Sequence, residues 1–178
     1  MASRPLRVTT VCSGNICRSP IAEYVLRRAV EEAGLGHAVV VDSAGVGGWH
    51  VGDPADPRTR RVLRAYGYDG DAHRAQQITR AWFAPDADDA PDLLLAMDAG
   101  HYDDLLRMAP DREVVMMRAF DPALVELAHP SRELDVPDPY YGGPDGFDEV
   151  LAMIEAATPG TLAHIRARLT RGSLPTGQ

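Results

Sequence analysis

The sequence predicts an α/β fold: a single domain with a four-stranded parallel twisted sheet flanked by helices on both faces. Short β-rich apolar runs alternate with segments of helical period, and each run leads into a loop or a helix. No repeat or long linker divides the 178 residues, and 45% hydrophobic content is enough for one core. Strands are expected near 6–11, 37–42, 92–97 and 113–117, and helices near 19–33, 57–66, 99–108 and 146–169. The domain is expected to span 6–170, after an N-terminal extension (1–5) and before a flexible tail (171–178).

Leu6, Val8 and Val11 with Thr9 and Thr10 form the first strand. The first helix is expected to open with Ser19 as a capping hydroxyl and Pro20 at its first position. Ala22, Val25, Leu26, Ala29, Val30 and Ala33 then recur at helical spacing, with Arg27, Arg28, Glu31 and Glu32 opposite and Gly34 as the stop. In the last helix Thr158-Pro159-Gly160 interrupts the apolar period of Val150, Leu151, Ile154, Leu162 and Ile165, so a kink or a restart is expected there.

Between the first strand and first helix the chain reads CSGNICRS, with Cys12 and Arg18 separated by five residues and followed by Ser19. Five residues can curl their backbone N–H groups toward one point, with Gly14 allowing conformations that a side chain would forbid. A helix N-terminus behind the loop favours an anion through its dipole and unpaired donors. A sulfur at the floor of such a loop is placed to attack phosphorus. Cys12 and Cys17 lack the second ligand pair that a closed zinc site needs.

Phosphate chemistry at a cysteine also needs a proton donor for the leaving group. Asp138, in VPDPYYGG between Pro137 and Pro139, is the candidate, although Pro, Asp and Gly are also what an ordinary turn contains. Trp49 lies among Gly47, Gly48 and Gly52, a composition that reads as an exposed loop rather than core. Asp98 reads as the cap of the following helix, with buttressing of the site as its other possible role.

CSGNICRSP near the N-terminus with DPYYGG in the last third resembles the low-molecular-weight protein tyrosine phosphatase family. The segments Asp42 to Gly45, Gly48 to Gly52, Asp56 to Arg58, His73 to Ala75 and Leu95 to Asp98 follow in the family's order, while Pro122 to Leu134 is longer than expected. The resemblance implies Cys12 as nucleophile, Arg18 as the phosphate-binding arginine and Asp138 as general acid and later base. Ser13, Gly14, Asn15, Ile16, Cys17 and Ser19 complete the phosphate loop, Ser19 donating a hydrogen bond to the sulfur. Trp49, Tyr140 and Tyr141 would wall a slot deep enough for a phenyl ring, and Asn15, Ser43 and His73 would form a network behind the loop. The family needs neither metal nor cofactor. It also implies that Cys12 and Cys17 can oxidise reversibly to a short disulfide.

Three other functions compete. Arsenate reductases of this fold need further cysteines, and beyond Cys17 there are none. Protein-arginine phosphatases carry a smaller or polar residue where Ile16 stands and lack the aromatic pair after the aspartate. A non-catalytic phosphotyrosine-binding module would have no use for Cys12, Arg18 and Asp138 together.

The partner implied is a phosphotyrosine-bearing protein. A net charge of −8 with scattered arginines argues against nucleic acid. The first residues carry no apolar stretch that would make a secretory signal, and no run of about 18 apolar residues could span a membrane. A cytoplasmic monomer is expected, with weak self-association and unconventional export left open.

Overall fold

The computed structural model describes residues 4–172. Residues 1–3 of the expected N-terminal extension and 173–178 of the expected tail lie outside the described residues. Four strands, β1 (Leu6–Cys12), β2 (Val39–Gly45), β3 (Leu93–Ala96) and β4 (Glu113–Met116), form one parallel sheet in the order β2-β1-β3-β4. The helices are α1 (Arg18–Glu32), α2 (Pro57–Ala65), α3 (Ala99–Met108) and α4 (Gly146–Gly172).

Alternation along the strands divides the core between the two faces of the sheet. Val8, Val39, Val41, Leu93 and Leu95 pack with Ile21, Leu26 and Val30 of α1 and Phe147, Leu151 and Ile154 of α4. Val11, Ala44, Leu94 and Ala96 face the other way, toward Leu105 of α3. The strand order reverses beside β1, and the loop after β1 therefore opens at the carboxyl end of the sheet where a ligand can reach it.

Three local expectations are corrected. β2 is shifted toward its C-terminus and runs through Ser43 and Ala44 to Gly45, because β1 holds it in register from Leu6↔Val39 to Cys12↔Gly45. Gly45 is needed where it stands: a Cβ there would lie 2.7 Å from the Ser13 carbonyl oxygen. α1 begins at Arg18 with Cys17 as its N-cap residue and no side-chain cap; the Ser19 hydroxyl is drawn instead into a buried network described below.

The last helix does not restart at Pro159. α4 is a single helix to Gly172, so Arg171 and Gly172 are helical rather than part of a tail. Pro159 lies on the exposed side, while the flanking Thr158 and Thr161 hydroxyls donate to the Ile154 and Ala157 carbonyls inside the helix. Gly160 admits the segment after β4: a Cβ would sit 2.1 Å from the Phe120 carbonyl oxygen. That segment forms short 3-10 turns at Met117–Phe120, Pro122–Leu124 and Arg132–Leu134, then delivers the buried Val136 to the site.

Candidate active site

The loop from Cys12 to Arg18 is shaped by what its carbonyls bind. Val46 N–H donates to the Cys12 carbonyl, Gly47 N–H to Ser13, His73 Nε2 to Asn15 and Asp56 N–H to Ile16, at 2.8–2.9 Å. In a planar trans peptide the next N–H points opposite to the carbonyl. Carbonyls tied outward therefore turn the N–H groups of Ser13, Gly14, Ile16 and Cys17 inward. No side chain caps α1, so its first-turn donors face the same space.

The left-handed residue in the loop is Asn15, at φ 58°, and not Gly14 as expected. Gly14 supplies room, since a Cβ there would come within 2.9 Å of the His50 ring. Asn15 is fully buried. Its Nδ2 donates to Ser19 Oγ and Ser43 Oγ, both at 2.9 Å, and its Oδ1 accepts from Gln76 N–H at 2.9 Å. With Ser19 Oγ receiving that hydrogen, its own proton is free for Cys12 Sγ, 2.9 Å away. The Ser43 hydroxyl donates a hydrogen bond to Glu23, whose carboxylate also lies 3.5 Å from His73 Nδ1. The expected trio of Asn15, Ser43 and His73 is thus joined, with Glu23 as a member that the sequence reading missed.

Arg18 is buried and fixed from several sides. Nη1 donates to Asp98 Oδ2 at 2.9 Å and to the Val136 carbonyl at 3.0 Å, and Nη2 lies 3.4 Å from Ser13 Oγ and 3.6 Å from Asp138 Oδ2. Asp98 caps α3 through His101 N–H, as expected, and buttresses Arg18 as well. Burial disfavours the Asp98 charge, but His101 and Arg18 outweigh it and hold the carboxyl below the usual range.

Above the loop opens a cavity of about 290 Å³ lined by Cys12, Ser13, Gly14, Ile16, Cys17, Arg18, Trp49, His50, Asp138, Tyr140 and Tyr141. Every loop and wall residue expected from sequence to contact substrate directly is there, save Asn15 and Ser19, which sit behind the loop. Trp49 is 74% and Tyr141 91% exposed, so both stand as rim rather than core. Asp138 is half exposed and accepts a hydrogen bond from Tyr140 N–H, 3.0 Å away. Arg58 clamps this wall, donating to the Tyr140 carbonyl at 3.0 Å, lying over the Tyr140 and Phe147 rings and pairing with Asp56.

Cys12 and Cys17 are both free thiols. Burial, then Asp56, Cys12 and Asp138, push the Cys17 thiol up to about 12, so it remains protonated at neutral pH. His50 and Arg58 lie within segments that follow the family's order but are not singled out there as site residues, whereas Glu23 and His101 are neighbours of the site without a local signature in the sequence. Among the described residues, no helix is long and apolar enough to cross a membrane.

The low molecular weight phosphotyrosine protein phosphatase model matches residues 7–171, and the chain belongs to that family. It is 52% identical over 167 residues to the low molecular weight protein-tyrosine-phosphatase of Streptomyces coelicolor, covering 92% of this chain and 95% of the relative. Low molecular weight protein-tyrosine phosphatase A of Mycobacterium tuberculosis H37Rv is 46% identical over 170 residues, 95% of this chain and 97% of the relative. The crystal structure of YfkJ from Bacillus subtilis superposes with a TM-score of 0.77 at 32% identity, covering 94% of this chain and 99% of that one.

Proposed function

We propose that the protein hydrolyses phosphotyrosine on protein substrates through a phosphocysteine intermediate. The observation that carries this reading is the Cys12 sulfur beneath inward-turned amides, with the Arg18 guanidinium and the Asp138 carboxyl gathered 3.6 Å apart at the rim of one cavity. The amides and Arg18 bind the non-bridging phosphoryl oxygens, whose charge grows in the transition state. The Cys12 thiolate attacks phosphorus, the P–O bond to the tyrosine ring breaks, and Asp138 gives its proton to the departing oxygen. The Ser19 hydroxyl steadies the sulfur, aided by the orientation Asn15 imposes. Water then attacks phosphorus, Asp138 takes its proton, the P–S bond breaks, and inorganic phosphate leaves.

Ile16, Trp49, Tyr140 and Tyr141 give the cavity apolar walls suited to an aryl ring. Residues 6–170 act as one catalytic domain in this reading. It acts as a cytoplasmic signalling enzyme and a monomer.

The test is aryl phosphate hydrolysis in chelator, followed by phosphotyrosine and phosphoarginine peptides. Cys12→Ser is expected to abolish turnover while still binding the phosphate ester. Full activity in that variant, or dependence on added metal, would falsify the mechanism; preference for phosphoarginine would replace the substrate.

A further inference from the structure

His101 is a buried imidazole to which the mechanism above assigns no task. Its Nε2 lies 2.9 Å from Ser13 Oγ, and its Nδ1 lies 3.1 Å from Asp98 Oδ1, off the axis of a formal hydrogen bond. Ser13 Oγ is also the atom that Arg18 Nη2 approaches, and Arg18 Nη1 returns to Asp98 Oδ2. Asp98, Arg18, Ser13 and His101 therefore close a ring around the guanidinium.

Proton counting orients that ring. Burial, reinforced by Arg18 and opposed by Asp98, Asp104 and Asp138, pushes the imidazole down to about 4, so it is neutral at pH 7. A bare Nδ1 lone pair facing a carboxylate at 3.1 Å would be repelled, so the hydrogen belongs on Nδ1 and Nε2 is left as an acceptor. Ser13 O–H must then point at Nε2, which turns the Oγ lone pairs toward Arg18.

We propose that His101, as the neutral Nδ1–H tautomer, is a positioning residue for phosphoryl transfer: it takes the Ser13 hydroxyl hydrogen and so makes Ser13 Oγ an acceptor that aims the Arg18 guanidinium at the cradle. This rests on the phosphatase reading, but its first test does not require turnover. Nitrogen-detected imidazole NMR of the wild-type protein at pH 7 is expected to show Nδ1 protonated and Nε2 bare. An Nε2–H tautomer or an imidazolium would overturn the proposal whatever the enzyme does.

The second test is kinetic. His101→Phe is expected to lower kcat/KM for an aryl phosphate by about tenfold and to weaken inhibition by inorganic phosphate, as expected for one lost hydrogen bond to a charged network. His101→Gln, whose amide oxygen can accept from Ser13, is expected to recover most of that loss. In a Ser13→Ala background, His101→Phe is expected to cost less than about twofold, because the relay is already cut. Equal loss in the Phe and Gln variants, or additive losses in the double variant, would assign His101 a packing role only.

Discussion

Asn15, behind the phosphate loop, commits its amide hydrogens to Ser19 and Ser43 and its oxygen to Gln76, all inside the protein. Asp138, on the facing rim, is half exposed and tied to its surroundings through Tyr140 N–H and the more distant Arg18. The two halves of the site are thus built for different tasks. Binding a tetrahedral anion needs donors that do not reorganise, which a buried interlocked network supplies. Passing a proton to a leaving group, and then taking one from water, needs a carboxyl in contact with solvent and free to adjust.

The contrast predicts opposite signatures for damage on the two sides. Asp138→Ala is expected to lower kcat by roughly 10²–10³-fold on aryl phosphates with poor leaving groups, and far less on good ones. Its melting temperature should stay within about 2 °C of wild type; a large drop in thermal denaturation would show that the rim is as structural as the loop. Asn15→Ala should fail in both assays. It strands buried partners and forces alanine to a left-handed φ, costing roughly 2–3 kcal/mol in urea unfolding along with activity.

Acid should loosen the cradle before it affects the rim. Because the folded-state value of His101 is lowered to about 4, the unfolded chain binds a proton that the folded chain refuses once the pH falls below about 6.5. His101 is therefore expected to contribute a decline of about 2 kcal/mol in unfolding free energy between pH 7 and pH 5, and His101→Phe should remove that part of the slope, leaving the contribution of His129, whose value burial also lowers. Below that range Asp98 and Asp56, both held under the usual carboxylate value against the cost of burial, add a further loss as the pH drops through their folded values.

The smallest expected effect falls on the wall. Arg58→Ala frees the Tyr140 carbonyl and unstacks the guanidinium, and should raise KM for aryl phosphates by roughly threefold with kcat nearly unchanged. A comparable fall in kcat would mean that the clamp also sets the reach of Asp138.

What could be read from sequence divides along the same boundary. The groups that line the cavity floor and rim are legible because strand, five-residue loop and helix start are contiguous, and DPYYGG is a local turn. Their supports are legible only in part, through the resemblance that names Asn15, Ser43 and His73. Ser13 and His101 are 88 positions apart, and Glu23 meets Ser43 across 20, so neither pair leaves a spacing pattern. Ser-Pro is the local signal for a helix cap, but in the folded chain Ser19 accepts from Asn15 and its hydroxyl serves the Cys12 sulfur instead of capping α1. At Pro159 a local breaker signal was overruled by tertiary packing, with Val150, Ile154 and Ile165 buried on both sides of it.

The protonated state of Cys17 has a practical consequence for anyone handling the protein. A haloacetate reagent, which reacts with sulfur anions, is expected to spare Cys17, although both thiols border the same cavity, and to modify the sulfur that the proposed mechanism uses as nucleophile. The mass increment after alkylation therefore reports the fraction of molecules with an intact, unliganded pocket, and a tightly held oxyanion should protect that sulfur in proportion to its occupancy.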